Sequence, residues 1–235
     1  MTQPNRRSDA GGPAVRGHEV IGEASRLLTD MRVAPGESAI AAGRHVRIHV
    51  VAERSSETSM RVLVTCHALG QRDVDWQGRL LVVEGAGRER LARLDARGQA
   101  AVRGVAAESC RLDLPIVWGA LPVPDLRSSR RRRWDRSGSS QDGTVSATIG
   151  CTQKGDILIG VRTHDRSLAG TAVRFRVEEG GAVGERIRGD VRLEERADEW
   201  KGRWSCRPEI GLAAEGTSDP ELLFWVATAA AKKDS

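Results

Sequence analysis

The sequence predicts an all-β protein: two small antiparallel β-sandwich domains joined by an arginine-rich linker, with a short helix on the N-terminal side. Three observations carry that prediction. Apolar and polar residues alternate with period two through many short segments, each bounded by Gly, Asp, Pro or charged residues. Asp95-Ala96-Arg97-Gly98 places Asp at the first and Gly at the last position of a type I turn, where each is favoured, so the chain reverses between two strands. With 235 residues, the chain has room for two domains. One clear break in patterning separates them.

Residues 1–17 carry Pro, Gly, Asn, Ser and charge without periodicity and are expected to be disordered. The pattern changes over 18–34. Ile21, Ala24, Leu27, Leu28 and Met31 recur at three- and four-residue steps, lining one face of an amphipathic helix that Pro35-Gly36 ends. Two fates are open to that face: packing on the first sandwich, or docking, Leu27 and Leu28 included, into a groove of a partner.

The first sandwich is expected over 44–124. HVRIHVV from His45, MRVLVTCHA from Met60 and GRLLVVEG from Gly78 alternate as half-buried strands do. His45, Arg47 and His49 share one outward face, and residues four apart on a strand stand about 13 Å apart, too far to chelate one metal ion. Asp73 and Asp75 before Trp76 lack the further oxygen ligands that calcium needs. From Leu91 to Leu114 the chain reads as a strand, the Asp95–Gly98 turn, and two more strands. In the first of these Ala100, Val102 and Gly104 alternate with Ala101, Arg103 and Val105; in the second Cys110, Leu112 and Leu114 alternate with Arg111 and Asp113.

Pro115, Pro122 and Pro124 then interrupt the pattern, and RSSRRRRWDRSGSSQDG reads as an exposed linker over 125–142. Its arginines repel one another and keep the backbone extended, so Arg130, Arg131, Arg132, Arg133 and Arg136 form a candidate cleavage site. A second sandwich is expected over 143–228. Its strands read VSATIGC, DILIGVRTHD, TAVRFRVEE, DVRLEERAD, WKGRWSCRP and LLFWVATA. In the last, Leu222, Phe224 and Val226 face one way and Leu223 and Trp225 the other, so it should be buried on both faces. Trp76-Gln77-Gly78-Arg79 and Trp200-Lys201-Gly202-Arg203 share a Trp-x-Gly-Arg pattern, a hint of two related halves. Residues 229–235 read as a loose tail.

Composition narrows the function. There are 37 basic and 32 acidic residues, a mixed surface rather than a uniformly basic face. No Tyr, two Phe and six Trp imply an aliphatic core with a few indole anchors. Cys66, Cys110, Cys151 and Cys206 are far apart and each keeps the parity of its strand's apolar face. Buried thiols acting as small hydrophobes are expected; an intersheet disulfide would require an oxidising compartment. No apolar run follows Arg6 and Arg7 and no apolar span reaches membrane length, so a cytoplasmic protein without signal peptide or membrane helix is expected. Gly-x-Ser-x-Gly, the phosphate loop and Gly-x-Gly-x-x-Gly are all missing. His164-Asp165 reads as a turn, and neighbours such as Glu194-Glu195 face opposite ways on a strand. No catalytic residue, cofactor or metal is therefore expected, and the chain is not expected to be an enzyme.

Asp95, Gly98, Ala100, Val102, Gly104 and Val105, followed by the strand Cys110 to Leu114, resemble the carboxypeptidase-regulatory-like or prealbumin-like domain over Val46 to Leu114. The resemblance implies a β-sandwich serving as a non-catalytic accessory module. The loop that usually reads Pro-x-Gly is Ala106-Ala107-Glu108 here, and Cys110 stands where an aromatic is common. The plan as a whole also resembles the accessory regulators encoded beside sigma factors and caspase-like proteases in bacterial defence systems. That resemblance implies a regulator that binds or inhibits a protein partner, such as a sigma factor, until an Arg-specific caspase-like protease cuts the linker and separates the halves. Trp118, Trp134, Trp200 and Trp204 are the candidate partner-binding anchors, because Trp dominates interface energy. The alternative is a nucleic-acid-binding accessory protein, its linker arginines on phosphates and Trp134 stacked on a base.

Overall fold

Alternation becomes strand in nearly every segment where it was read. The computed structural model describes residues 17–70, 74–123, 134–154, 156–178, 187–196, 199–206 and 221–228. The expected disorder of the first residues, the tail 229–235 and the run Arg130–Arg133 lie outside them. Among the described residues there are four antiparallel sheets, and the chain divides into two compact units between Leu114 and Pro115.

The first unit opens with helix α1 (Gly17–Asp30). Strands β1 (Arg32–Val33), β2 (Ser38–Ala42), β3 (Val46–Arg54), β4 (Ser59–Ala68), β5 (Leu80–Gly85), β6 (Arg88–Arg93), β7 (Gln99–Ala106) and β8 (Cys110–Asp113) follow. They form sheets ordered β2-β3-β4-β7 and β1-β8-β5-β6. Val46, Ile48, Val50, Val62, Val64 and Cys66 from one sheet share a core with Leu81, Val83, Cys110 and Leu112 from the other. The helix belongs to that core. Val20, Ile21, Ala24 and Leu28 are buried and Leu27 packs half-buried beside them, with α1 lying against β8 and β3. Full burial of a Leu or Ile side chain contributes roughly 1.5–3 kcal/mol, so this stripe anchors the helix rather than awaiting a partner.

Polar groups fix α1 at its end and its middle. Arg32 Nη1 donates to the carbonyl of Thr29 in the last turn at 3.1 Å and to that of Met31 just beyond it at 2.8 Å. At mid-helix, the Glu23 carboxylate accepts the backbone N–H groups of Arg44 at 2.7 Å and His45 at 2.8 Å. It latches the helix to the turn between β2 and β3. Gly43 makes room: a Cβ there would lie 2.4 Å from the Glu23 carboxylate. Burial pushes the Glu23 carboxyl upward, but the hydrogen bonds from Arg44 and His45, with the positive charges of His45 and Arg26, outweigh it and hold its pKa below the ordinary value.

The Asp95 turn forms as its chemistry demands. Gly98 N–H donates to Asp95 O at 3.0 Å, while Asp95 Oδ1 accepts from the N–H groups of Arg97 at 2.8 Å and Gln99 at 2.9 Å. Gly98 has φ +74, and a Cβ on it would meet Cys66 O at 2.4 Å and the Trp76 ring at 3.2 Å. Gly104 departs from the expected alternation. Met60 pairs with Val105 but Val62 with Val102, so β7 carries one extra residue, a β-bulge in which Gly104 has φ +67. Gly104 is exposed, and Val105 returns inward beside Val102.

The second unit contains β9 (Trp118–Pro122), β10 (Trp134–Ser139), β11 (Val145–Cys151), β12 (Ile157–Thr163), β13 (Ala172–Glu178), β14 (Arg188–Arg192), β15 (Glu194–Arg196), β16 (Glu199–Cys206) and β17 (Glu221–Val226). Its sheets are ordered β10-β11-β12-β16-β15 and β14-β13-β17-β9. The expected limits 44–124, 125–142 and 143–228 shift accordingly. β9 was read into the first sandwich, yet it pairs with β17, and Leu121 and Val123 join the second core. Residues 134–139 were read as linker, yet they pair with β11 from Trp134↔Cys151 to Ser139↔Ser146. The apolar partners waiting in β17 and β11 override the local Pro, Ser and Arg signals.

DVRLEERAD, expected as one strand, is split. β14 and β15 lie in different sheets, with buried Leu193 between them; its N–H donates to Thr171 O at 3.0 Å and its carbonyl accepts from Gly170 at 3.1 Å. β17 is buried on both faces as expected, from Leu222 to Trp225. His164-Asp165 does form a turn, Asp165 capping the short 3-10 helix Arg166–Leu168. The Trp-x-Gly-Arg repeat has no structural counterpart, since residues 76–79 form a turn with Gly78 at φ +76 whereas residues 200–203 lie within β16. Cys66, Cys110 and Cys151 are buried thiols outside any disulfide. Burial pushes the Cys66 thiol up to about 12.

Candidate functional site

β10, β11, β12 and β16 turn one set of alternating residues into the second core and the other set outward. Val145, Ala147, Ile149 and Cys151 of β11, and Ile157, Ile159, Val161 and Thr163 of β12, are buried. The outward rows follow from register: Asp135, Gly150, Leu158 and Ser205 in one, Ser137, Thr148, Gly160 and Arg203 in the next, then Ser139, Ser146, Arg162, Lys201 and Glu194. Two glycines in adjacent rows leave the middle of the sheet bare.

The result is an open depression of about 1010 Å³. Leu158, 46% exposed, stands on its floor, Arg162 and Arg203 stand in its outward rows with Asp135 as the acidic member, and Arg136 of the edge strand also lines it. Leu158 breaks the alternation of its strand, an apolar residue in the polar phase. Gly160 is held bare by its neighbour: Thr148 Oγ1 donates to Gly160 O at 3.3 Å and would lie 2.7 Å from an added Cβ. At Gly150 an added Cβ would lie 3.1 Å from Trp134 O. Two smaller hollows continue the face. One of about 600 Å³ shares Asp135, Gly150 and Leu158 and adds Lys154 and Asp156; one of about 480 Å³ shares Arg203 and adds Lys201, Glu194 and Asp190.

In the depression over Gly150 and Gly160 basic residues outnumber acidic ones, Arg136, Arg162 and Arg203 against Asp135. Arg162 sits opposite Lys201, which is itself opposite Glu194. Among the described residues neither Arg162 nor Arg203 forms an ion pair. The depression over Gly150 and Gly160 offers the hydroxyls of Ser137, Thr148 and Ser205 but neither His nor Cys among its lining residues. Among the described residues no group of His, Cys, Asp or Glu is arranged to hold a metal ion.

Of the candidate residues singled out in the sequence, Arg136 lines the depression and Trp134 lines the adjoining hollow of about 600 Å³. Trp118 is 2% exposed and so cannot anchor a partner at the surface. Trp134 packs half-buried against the second core, with Nε1 buried and without a hydrogen-bond partner among the described residues. Leu27 and Leu28 are spent on the first core. Trp200 and Trp204 lie in β16, but their side chains are outside the described residues, as are Arg130, Arg131, Arg132 and Arg133. Leu158, Arg162, Arg203, Gly150 and Gly160 were missed. The signal was present in DILIGVRTHD, where Leu158 and Gly160 interrupt an otherwise polar outward phase.

No protein-family model matches the chain, and no curated protein sequence matches it either.

Proposed function

We propose that the chain is a non-catalytic interaction protein that holds an acidic, extended segment of a protein partner across the outer face of its five-stranded sheet. The observation that carries this is the depression over Gly150 and Gly160, with exposed Leu158 on the floor and Arg162 and Arg203 at the rim. An apolar centre ringed by arginine has the anatomy of a protein interface, and guanidinium groups take carboxylates in a bidentate grip. The first sandwich then serves as the accessory module that its resemblance to carboxypeptidase-regulatory-like domains implies, and a sigma factor is the partner implied by the resemblance to defence regulators.

Cleavage by an Arg-specific protease at Arg130–Arg133 stays part of the proposal, with a changed consequence. A cut there falls inside the second unit, between β9 and β10, and leaves β9 paired with β17. It frees the chain leading into β10, at the edge of the binding face, rather than parting the halves.

A synthetic peptide alternating Glu with Leu, titrated by fluorescence anisotropy, tests the face. Wild-type protein is expected to bind it more weakly as salt rises, and Arg162→Glu with Arg203→Glu is expected to weaken binding at least tenfold, about 1.4 kcal/mol. Equal binding by wild type and the double variant sinks the proposal. Binding of single-stranded DNA in place of the peptide would favour the nucleic-acid alternative.

A further inference from the structure

Among the described residues the four sheets have eight edge strands, and seven are protected against strand addition. β6 carries Arg88, Glu89, Arg90 and Arg93; β14 carries Arg188, Asp190 and Arg192; β15 reads Glu194-Glu195-Arg196. β10 has Asp135 and Arg136, and β1 is two residues long with Arg32 as one of them. β7 is bulged at Gly104 beside Arg103, and β9 is largely buried and ends in Pro122. β2, Ser38-Ala39-Ile40-Ala41-Ala42, has no charge, no proline and no bulge.

Its outward backbone groups follow from the ladder. Ala52 N–H donates to Glu37 O at 2.9 Å and Gly43 N–H to Val46 O at 2.8 Å, so between them the alternate residues Ala39 and Ala41 turn their backbone groups to β3. Ser38, Ile40 and Ala42 turn theirs to the open edge. Side chains alternate in the same phase: Ala39 and Ala41 pack on the first core, while Ile40 is 68% exposed.

We propose that β2 pairs antiparallel with β2 of a second copy of this chain, centred on Ile40, joining two four-stranded sheets into one. Self-complementarity identifies the occupant. About Ile40 the register sets Ser38 against Ala42, Ala39 against Ala41 and Ile40 against its own copy, so the outward residues map onto themselves. Every outward N–H of one copy meets an outward carbonyl of the other. A slip of one residue would set outward groups against inward ones. No like charges face each other across this register, and the two Ile40 side chains cover one another, the cross-strand pairing that stabilises sheets.

Analytical ultracentrifugation tests the proposal. Wild type is expected at twice the 25.5 kDa chain mass, dissociating on dilution. Ile40→Lys and Ile40→Pro are both expected to sediment as single chains. The proline removes an N–H that points away from β3, leaving the internal ladder intact, and unchanged circular dichroism verifies the fold. Hydrogen exchange at Ser38, Ile40 and Ala42 in wild type should slow as concentration rises. A wild type that stays a single chain at every concentration overturns the proposal, as do variants that remain paired; capture of a foreign strand at this edge by a wild type that stays a single chain would also overturn it.

Discussion

Gly98 illustrates how much a single residue can carry. Its left-handed backbone alone penalises any other residue by about 1–3 kcal/mol. The Cys66 carbonyl 2.4 Å from the position of an added Cβ penalises it further. Gly98→Ala is therefore expected to lower stability more than Gly36→Ala, where φ is +87 but nothing lies within 4 Å. Chemical denaturation of the two variants side by side checks the order. The turn was legible because Asp95 and Gly98 act on their own neighbours. Gly104 was harder. Period two carried it onto the inner face with Val102, and only the opposing strand, where Val62 and Met60 set the spacing, forces the extra residue out.

Helix α1 shows how local pattern and distant partner divide the work. Its apolar stripe was visible in sequence, but the choice between core and partner groove was not, because Glu23 finds the N–H groups of Arg44 and His45 only in the folded chain. The latch has a pH signature. Glu23 has a folded pKa below the ordinary 4.5, so its contribution is present above that value and is lost as pH falls through the folded pKa. Denaturation midpoints measured over a pH series are expected to show wild type more stable than Glu23→Gln at neutral pH, with the gap closing on acidification below about 4.5. A gap that stays constant would mean that the carboxylate's charge does not hold the helix. The strands of the binding face were legible as strands. Their outward residues were not legible as a site, because the depression arises from register, which sets Gly150 beside Leu158 and Gly160 beside Thr148.

At the scale of the whole molecule, the two-domain plan could be read from the sequence but its seam could not. The arginine run is the loudest break in composition, yet the boundary lies earlier, at Leu114, because Trp118 to Pro122 find their partners in β17. The seam is decided by pairing across the length of the second unit, a signal that no local window contains. A site-specific protease sequence placed over residues 127–133 tests this. After cleavage the two fragments are expected to co-elute from a sizing column in native buffer and to part only in denaturant. Separation in native buffer would show that β9 does not hold.

The position of β17 has a consequence for how the protein is made. The first unit, from α1 to β8, is contiguous in the chain and can begin to close while translation continues. In the second, β17 lies between β13 and β9, so that sheet stays open at its middle until residues 221–226 have left the ribosome. During that interval β9 and β13 expose the surfaces that β17 will cover. The second sandwich therefore depends on β17, far along the chain from β9, to close the middle of that sheet.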